Sequence, residues 1–329
     1  MTGRRPTSAD VAREAGVSRA TVSYVLNDAP GERIAQPTRE RVLAAAARLG
    51  YAPSLAGRAL ANGQSDIVLL AMPDAPSGEL TSRFVDAVTR SLAAQGLTLV
   101  VHFDVPSAPR LPRLAAMLSV RAVLSLFPLP DADNAALRRM GIRVVPAGTE
   151  SDGLATSALL RRQGRMQVAH LVAAGHLRLA YALPADPRLS VFADPRHDGV
   201  RQACAERDLP MPVPFTVPDD PSAVVGAVRA LLDDAPQVTA ICAYNDEVAL
   251  ATLHGLRELA VPVPTRMALI GVDGIPLSAY SAPPLTTVTV APAATARHLA
   301  RAAVARLAGD RPTPVPIEDV LHLTVRATT

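Results

Sequence analysis

The 329 residues are 49% hydrophobic and 19% charged, with a formal net charge of +3, enough chain for a small domain plus a core of about 260 residues that is itself split in two. All 33 basic side chains are Arg, and Cys204 and Cys242 stand far apart at no metal or redox spacing. No segment reaches the roughly 18 consecutive apolar residues of a membrane helix, and the Arg-bearing start has no apolar signal-peptide run, so the expectation is a cytoplasmic protein with reduced, buried thiols.

In chain order, Thr7 to Leu26 reads as two short helices joined by a tight turn. Thr7 and Asp10 have the T-x-x-D form of a capping box. Val11, Ala12 and Ala15 recur at helical spacing, and Gly16 supplies the permissive backbone of the turn. Ser18 is a second N-cap, followed by Val22, Val25 and Leu26 on one apolar stripe. The opposite face carries Arg19, Ala20, Ser23 and Tyr24, a mix that suits a DNA major groove. Residues 1–64 hold nine Arg against five acidic residues, a net of +4, and the remainder of the chain nets −1. The positive excess therefore lies where phosphates would be met. A third helix is expected from about Gln36 to Leu49, with Pro37 in its first turn and Gly50 at its C-terminal cap.

Residues 52–64 read as a linker. Beyond it, apolar runs at Ile67–Met72, Leu97–His102, Ala122–Leu126 and Arg143–Val145 read as buried strands, separated by helical stretches near 79–95, 110–119 and 131–140. Strands near 178–183, 213–217, 238–242 and 267–271 repeat the pattern. Such alternation predicts right-handed βαβ units in two α/β subdomains with parallel sheets covered on both faces.

These residues carry a resemblance. DVAREAGVSRATVSYVLN and TRERVLAAAARLGYAPSLAGRAL resemble the headpiece and hinge of the LacI/GalR transcription regulators. HLVAAGH at 170–176, AYNDEVALA at 243–251, GVDGIPLSAYSAPPLTTV at 271–288 and the closing VLHLTVRA extend the likeness over nearly the whole chain. It implies a helix-turn-helix headpiece (1–50), a hinge (51–64) and a periplasmic-binding-protein-like core (65–329). Within the core, one subdomain takes about 65–157 and 289–312, the other about 158–288 and 313–329, with chain crossings near 157, 288 and 313 and a ligand cleft between lobes. Its function would be a repressor that binds a pseudo-palindromic operator as a homodimer and responds to a small-molecule effector such as a sugar or other metabolite, in the bacterial nucleoid, without cofactor, metal or membrane.

The resemblance places Arg19, Ala20 and Tyr24 at base edges. Arg19 can meet a guanine through two hydrogen bonds, Ala20 offers a methyl, and Tyr24 a hydroxyl and a flat ring. Thr7, Ser18, Thr21, Ser23 and Asn27 fall at phosphate-contacting positions, with capping an equal and compatible reading for Thr7 and Ser18. Ser54, Gly57 and Leu60 fall on a minor-groove hinge helix, Ser54 as cap and Leu60 as the wedge in a central base step. Gly57 stands where relatives more often have Ala, and a mid-helix Gly costs about 1 kcal/mol of helix stability.

For the effector, the resemblance points to Arg196, Asn245, Asp246 and Asp273. Two other readings stay open, Asp246 as a helix cap and Asp273 as a turn residue. Several positions depart from the family pattern. Pro146-Ala147-Gly148-Thr149 has no carboxylate, Arg161-Arg162-Gln163 replaces an acidic residue ahead of Gly164, and at 3% aromatic content with no Trp a stacking platform is thin. An enzyme finds no support in G-x-S-x-G, Walker A or H-E-x-x-H motifs, and His170 and His176 read as structural. The rival of a different class is a solute-binding module with the same core architecture and no DNA role.

Overall fold

The computed structural model describes residues 6–26, 34–51, 65–146, 155–313 and 319–329. The first two stretches form three helices, α1 (Ser8–Ala15), α2 (Arg19–Leu26) and α3 (Gln36–Leu49). Thr7 and Asp10 close the capping box, the Thr7 amide donating to Asp10 Oδ2 at 2.9 Å and the Asp10 amide to Thr7 Oγ1 at 3.4 Å. Gly16, at φ 65°, ends α1 in the left-handed conformation that permits the turn into α2. Val11, Val22, Val25, Val42 and Ala45 form one small apolar core, and Arg48 reaches Glu14 at 3.2 Å to tie α3 to α1.

The larger part holds two sheets. In the first, β1 (Ile67–Met72), β2 (Thr98–Phe103), β3 (Ala122–Ser125) and β4 (Arg143–Pro146) lie in the order β2-β1-β3-β4, all parallel. Helices α4 (Glu79–Ala93), α5 (Leu111–Met117) and α6 (Asp131–Arg139) connect them. The second sheet has the order β10-β9-β8-β7-β5-β6 and comprises β5 (Leu179–Pro184), β6 (Val213–Val217), β7 (Ala240–Ala243), β8 (Ala268–Asp273), β9 (Thr286–Val290) and β10 (Leu321–Thr324). The continuous apolar runs predicted the parallel strands because both sheet faces are covered. β10 departs from the parallel expectation, running antiparallel to β9 as the edge strand.

Long helices complete the second lobe: α7 (Thr156–Ala173), α8 (Ser190–Ala205), α9 (Pro221–Asp234) and α10 (Asp246–Glu258). The last helix, α11 (Pro292–Ala308), returns to the first lobe, where Ala303 joins Val290, Val320 and Leu321 in the core beneath β1 and α4. Helix α7 serves both lobes: Leu159 and Met166 pack on the first core, Val168 and Leu171 in the second. Among the described residues, no helix is long and apolar enough to cross a membrane, and no group of three His, Cys, Asp or Glu is placed to hold a metal ion.

The α7–α8 crossing is unusually close. A Cβ on Gly164 would overlap the Arg196 carbonyl, and one on Gly199 the Arg161 carbonyl. The contact brings Gln163 of α7 alongside Arg196 of α8. Gly164→Ala and Gly199→Ala should each therefore destabilise the core by about 1–3 kcal/mol. Gly226→Ala in α9, where the added methyl meets open space, should instead raise stability by up to about 1 kcal/mol through helix propensity. Urea-unfolding midpoints of the three variants check the contrast.

Candidate functional site

Two surfaces carry the predicted chemistry. The first is α2. Its inner side, Val22 and Val25, is buried in the headpiece core, and Arg19, Ala20 and Tyr24 are exposed on the other side, Tyr24 at 37%. Ser18 accepts the Thr21 amide at 3.0 Å and lies 2.9 Å from the Thr21 hydroxyl, so it caps α2. Thr7 caps α1, its hydroxyl donating to Asp10 Oδ2 at 2.6 Å. Thr21 and Ser23 are half-buried on the flank of the exposed face. Asn27 and the hinge residues Ser54, Gly57 and Leu60 lie outside the described residues.

The second surface is the cleft between the lobes. Each sheet reverses strand order once, at β1 and at β5, and ligands of such sheets bind at the carboxyl ends beside that reversal. Met72 at the end of β1, Leu126 just after β3 and Arg196 of α8 all line one pocket of about 130 Å³. The lobes also touch directly. The Phe127 and Phe192 rings meet edge to face at 5.3 Å, and Arg188, held by Asp186 at 2.6 Å, reaches Asp74 at 3.7 Å.

Arg196 organises the second-lobe wall. Its Nε donates to Gln163 Oε1 at 2.6 Å, Nη1 to the Tyr244 carbonyl at 3.0 Å and Nη2 to Asp273 Oδ1 at 2.8 Å, with the guanidinium 4.9 Å from the centre of the Tyr244 ring. It is 3% exposed. Asp273 is held at φ 104°, a strained conformation for a side chain with a Cβ. Gln167 adds a brace from α7, its amide donating to the Ala243 carbonyl at 2.8 Å and the Ile270 carbonyl at 3.2 Å. The structure thus brings Arg196 and Asp273 together as an ion pair.

Asn245 and Asp246 are placed differently. Asn245 is the N-cap of α10, its Oδ1 accepting the Val248 amide at 2.9 Å, which corrects the reading of Asp246 as the cap. Nor does Asp246 face the cleft. It has no exposed surface, one oxygen accepting from Thr287 Oγ1 at 2.6 Å and the other from the Ile275 amide at 2.9 Å. Gly271 leaves the room for it, since a Cβ there would overlap Asp246 Oδ1. The carboxylate pins the 273–275 loop from behind and presents nothing to a ligand in this arrangement.

The aromatic side chains of the cleft escaped the sequence reading. The chain has five Phe, and Phe84, Phe127 and Phe192 all sit at the interlobe cleft. One signal was available: Phe127 stands two residues past β3, at the strand end where parallel sheets bind ligands. Beside Phe127 a second cavity, of about 180 Å³, is lined by His102, Asp104, Ser125 and Asp133.

Comparison with known proteins supplies the family. Residues 7–54 match the profile of bacterial regulatory proteins, lacI family, and residues 168–329 that of a periplasmic binding protein-like domain. The HTH-type transcriptional regulator GalR of Salmonella typhimurium is 32% identical over 93% of this chain and 90% of its own. The chain belongs to the LacI/GalR family. It is therefore a DNA-binding transcriptional regulator whose core is of the effector-modulated type, and its relatives are regulators rather than enzymes. Among solved structures, a transcriptional regulator CelR–cellobiose complex is 28% identical with a TM-score of 0.64, covering 99% of this chain and 100% of that one. A lac repressor dimer bound to operator and the anti-inducer ONPF shares the fold, with a TM-score of 0.78, 23% identity and 99% of each chain covered.

Burial pushes the Asp246 carboxyl up from its ordinary value of 3.8 to about 7, against the lowering effect of the Thr287 hydrogen bond and with a further raise from Asp273. The folded protein then keeps a proton that the unfolded chain releases from about pH 4 upward. Folding stability from this group is highest at acid pH and falls as pH rises to about 7, with no further loss above it. The expected span is on the order of a few kcal/mol. Urea midpoints at pH 5 and pH 7.5 should show this slope in the wild type and its reduction in Asp246→Asn.

Proposed function

We propose that this LacI/GalR member is a cytoplasmic, non-enzymatic repressor that binds a pseudo-palindromic operator as a homodimer and is modulated by a small molecule in the interlobe cleft. In this reading residues 1–50 form the headpiece, 51–64 the hinge and 65–329 the core. Its site is the bacterial nucleoid, because the partner is chromosomal double-stranded DNA. The observation that carries the proposal is the two-sided character of α2: Val22 and Val25 are sealed in the headpiece core while Arg19, Ala20 and Tyr24 face outward. A short helix so arranged presents base-reading groups without disturbing its own packing. Thr7, Ser18, Thr21, Ser23 and Asn27 set the register on phosphates. The hinge reading, with Ser54 capping, Gly57 at the helix contact and Leu60 wedging the minor groove, rests on sequence resemblance.

Self-association is supported by the segment between β8 and β9. Leu277 is 62% exposed and Tyr280 83% exposed, two large apolar side chains close together in sequence, as a protein interface would use them. In the cleft, the Arg196–Asp273 pair and Gln163 stand at the second-lobe wall, and the CelR–cellobiose complex is the precedent for a similar protein that takes a small molecule.

Selection of bound sequences from a random duplex pool tests the reading. It should return two inverted half-sites within roughly 14 to 20 base pairs, the span two headpieces cover on one face of DNA. A single half-site, or no enrichment, would contradict it. On the selected operator, Arg19→Ala should cost about 1–3 kcal/mol and relax preference at one guanine. Fluorescence anisotropy with the guanine replaced distinguishes a lost base contact from a uniform loss. Tyr280→Asp should shift the protein toward monomer in sedimentation and weaken operator binding in parallel.

A further inference from the structure

The cleft pocket is apolar on both sides. From the first lobe it is lined by Leu80, Phe84 and Leu126, and from the second by Leu160 and Phe192, with Val290 at the crossing between them. Three of the chain's five Phe gather at this cleft. Five polar side chains touch the pocket, Thr81, Thr156, Gln163, Arg196 and Thr295, and the last three are engaged with protein partners. Arg196 lines it but spends its guanidinium on Gln163, the Tyr244 carbonyl and Asp273. Thr295 donates its hydroxyl to the Ala291 carbonyl at 2.8 Å. Gln163 gives its amide oxygen to Arg196, which leaves it an N–H donor.

A polyol in this pocket would bury hydroxyls against Leu and Phe, or would have to take Arg196 from partners it already holds in a buried site. Burying unpaired hydroxyls is unfavourable. An apolar cavity of about 150 Å³ takes one benzene ring, and this pocket is about 130 Å³. We propose that the effector is a compact, mainly apolar molecule, a single aromatic ring or a branched chain of about that volume with few hydrogen-bonding groups, rather than a sugar.

The proposal rests on the reading of the cleft as the effector site. Burial of such a ligand between Phe84 and Leu126 on one lobe and Phe192 on the other holds the lobes closed by apolar contact, which gives it the differential affinity that regulation requires.

The test uses the full chain with p-cresol, benzyl alcohol and isoamyl alcohol as probes, beside cellobiose, galactose and ribose. Thermal unfolding and affinity for the selected operator are measured for each. At least one of the three alcohols should raise Tm by roughly 3 °C or more at saturation and change operator affinity by about fivefold or more. Leu126→Asn should weaken that probe about tenfold or more by placing an amide against the ring. Leu80→Asn serves the same purpose should the first variant unfold. If a sugar shifts Tm and operator affinity while none of the alcohols does, the proposal is overturned and the effector reading of the cleft stands. Alcohol binding that both Asn variants leave unchanged places the ligand elsewhere and also overturns it. If neither class acts on stability or operator binding, the proposal and the effector reading fall together.

Discussion

The second lobe is built around one buried cation. Arg196 is enclosed by α7, the end of β7 and the end of β8, and it bonds to a group on each: Gln163, the Tyr244 carbonyl and Asp273. A guanidinium out of water is tolerated only when its donors are met, so these partners must stay in register for the lobe to stay folded. The close approach at Gly164 and Gly199 brings the arginine within reach of Gln163. Asp246, behind the sheet ends, holds the loop that carries Asp273. What this wall presents to the cleft is then a set of charges that satisfy one another, beside a pocket lined mainly by apolar side chains.

That division separates two tasks within one family fold. In the headpiece Arg19, Ala20 and Tyr24 face outward, the orientation that the proposed reading of base edges requires. The core has side chains that pack against each other across a cleft, as Phe127 and Phe192 do at 5.3 Å. In the proposed reading, lobe closure responds to whatever fills the apolar pocket. An occupant need shift the balance between two core states by only about 1–3 kcal/mol to matter at the operator.

Much of this was legible in the sequence. The capping box at Thr7 and Asp10, the glycines at 16 and 50, and the apolar runs of β1 through β8 announce their elements because each rests on local chemistry. Strands β9 and β10 do not. TTVTV carries no continuous apolar run, and its buried Thr286 and Thr287 are satisfied by distant partners, Thr329 and Asp246. The same non-local bonding explains Asp246, which looks like a helix cap in sequence and proves to be a buried brace, while Asn245 takes the capping role one residue earlier. The aromatic cleft was hidden for a related reason. Phe84 lies on α4, Phe127 in the loop after β3 and Phe192 on α8, and only the folded chain brings them to one place.

A double-mutant cycle on the Arg196–Asp273 pair tests most directly whether the second-lobe wall is held by its own charges. Removing one partner of a buried pair typically costs about 3–5 kcal/mol, because the other is left buried and unpaired, whereas removing both costs much less than the sum. Unfolding free energies of Arg196→Met, Asp273→Asn and the double variant should give a coupling of about 1–3 kcal/mol. Single-variant costs that add to within about 0.5 kcal/mol would show that the two side chains do not depend on each other, and would contradict the account of a self-satisfied wall.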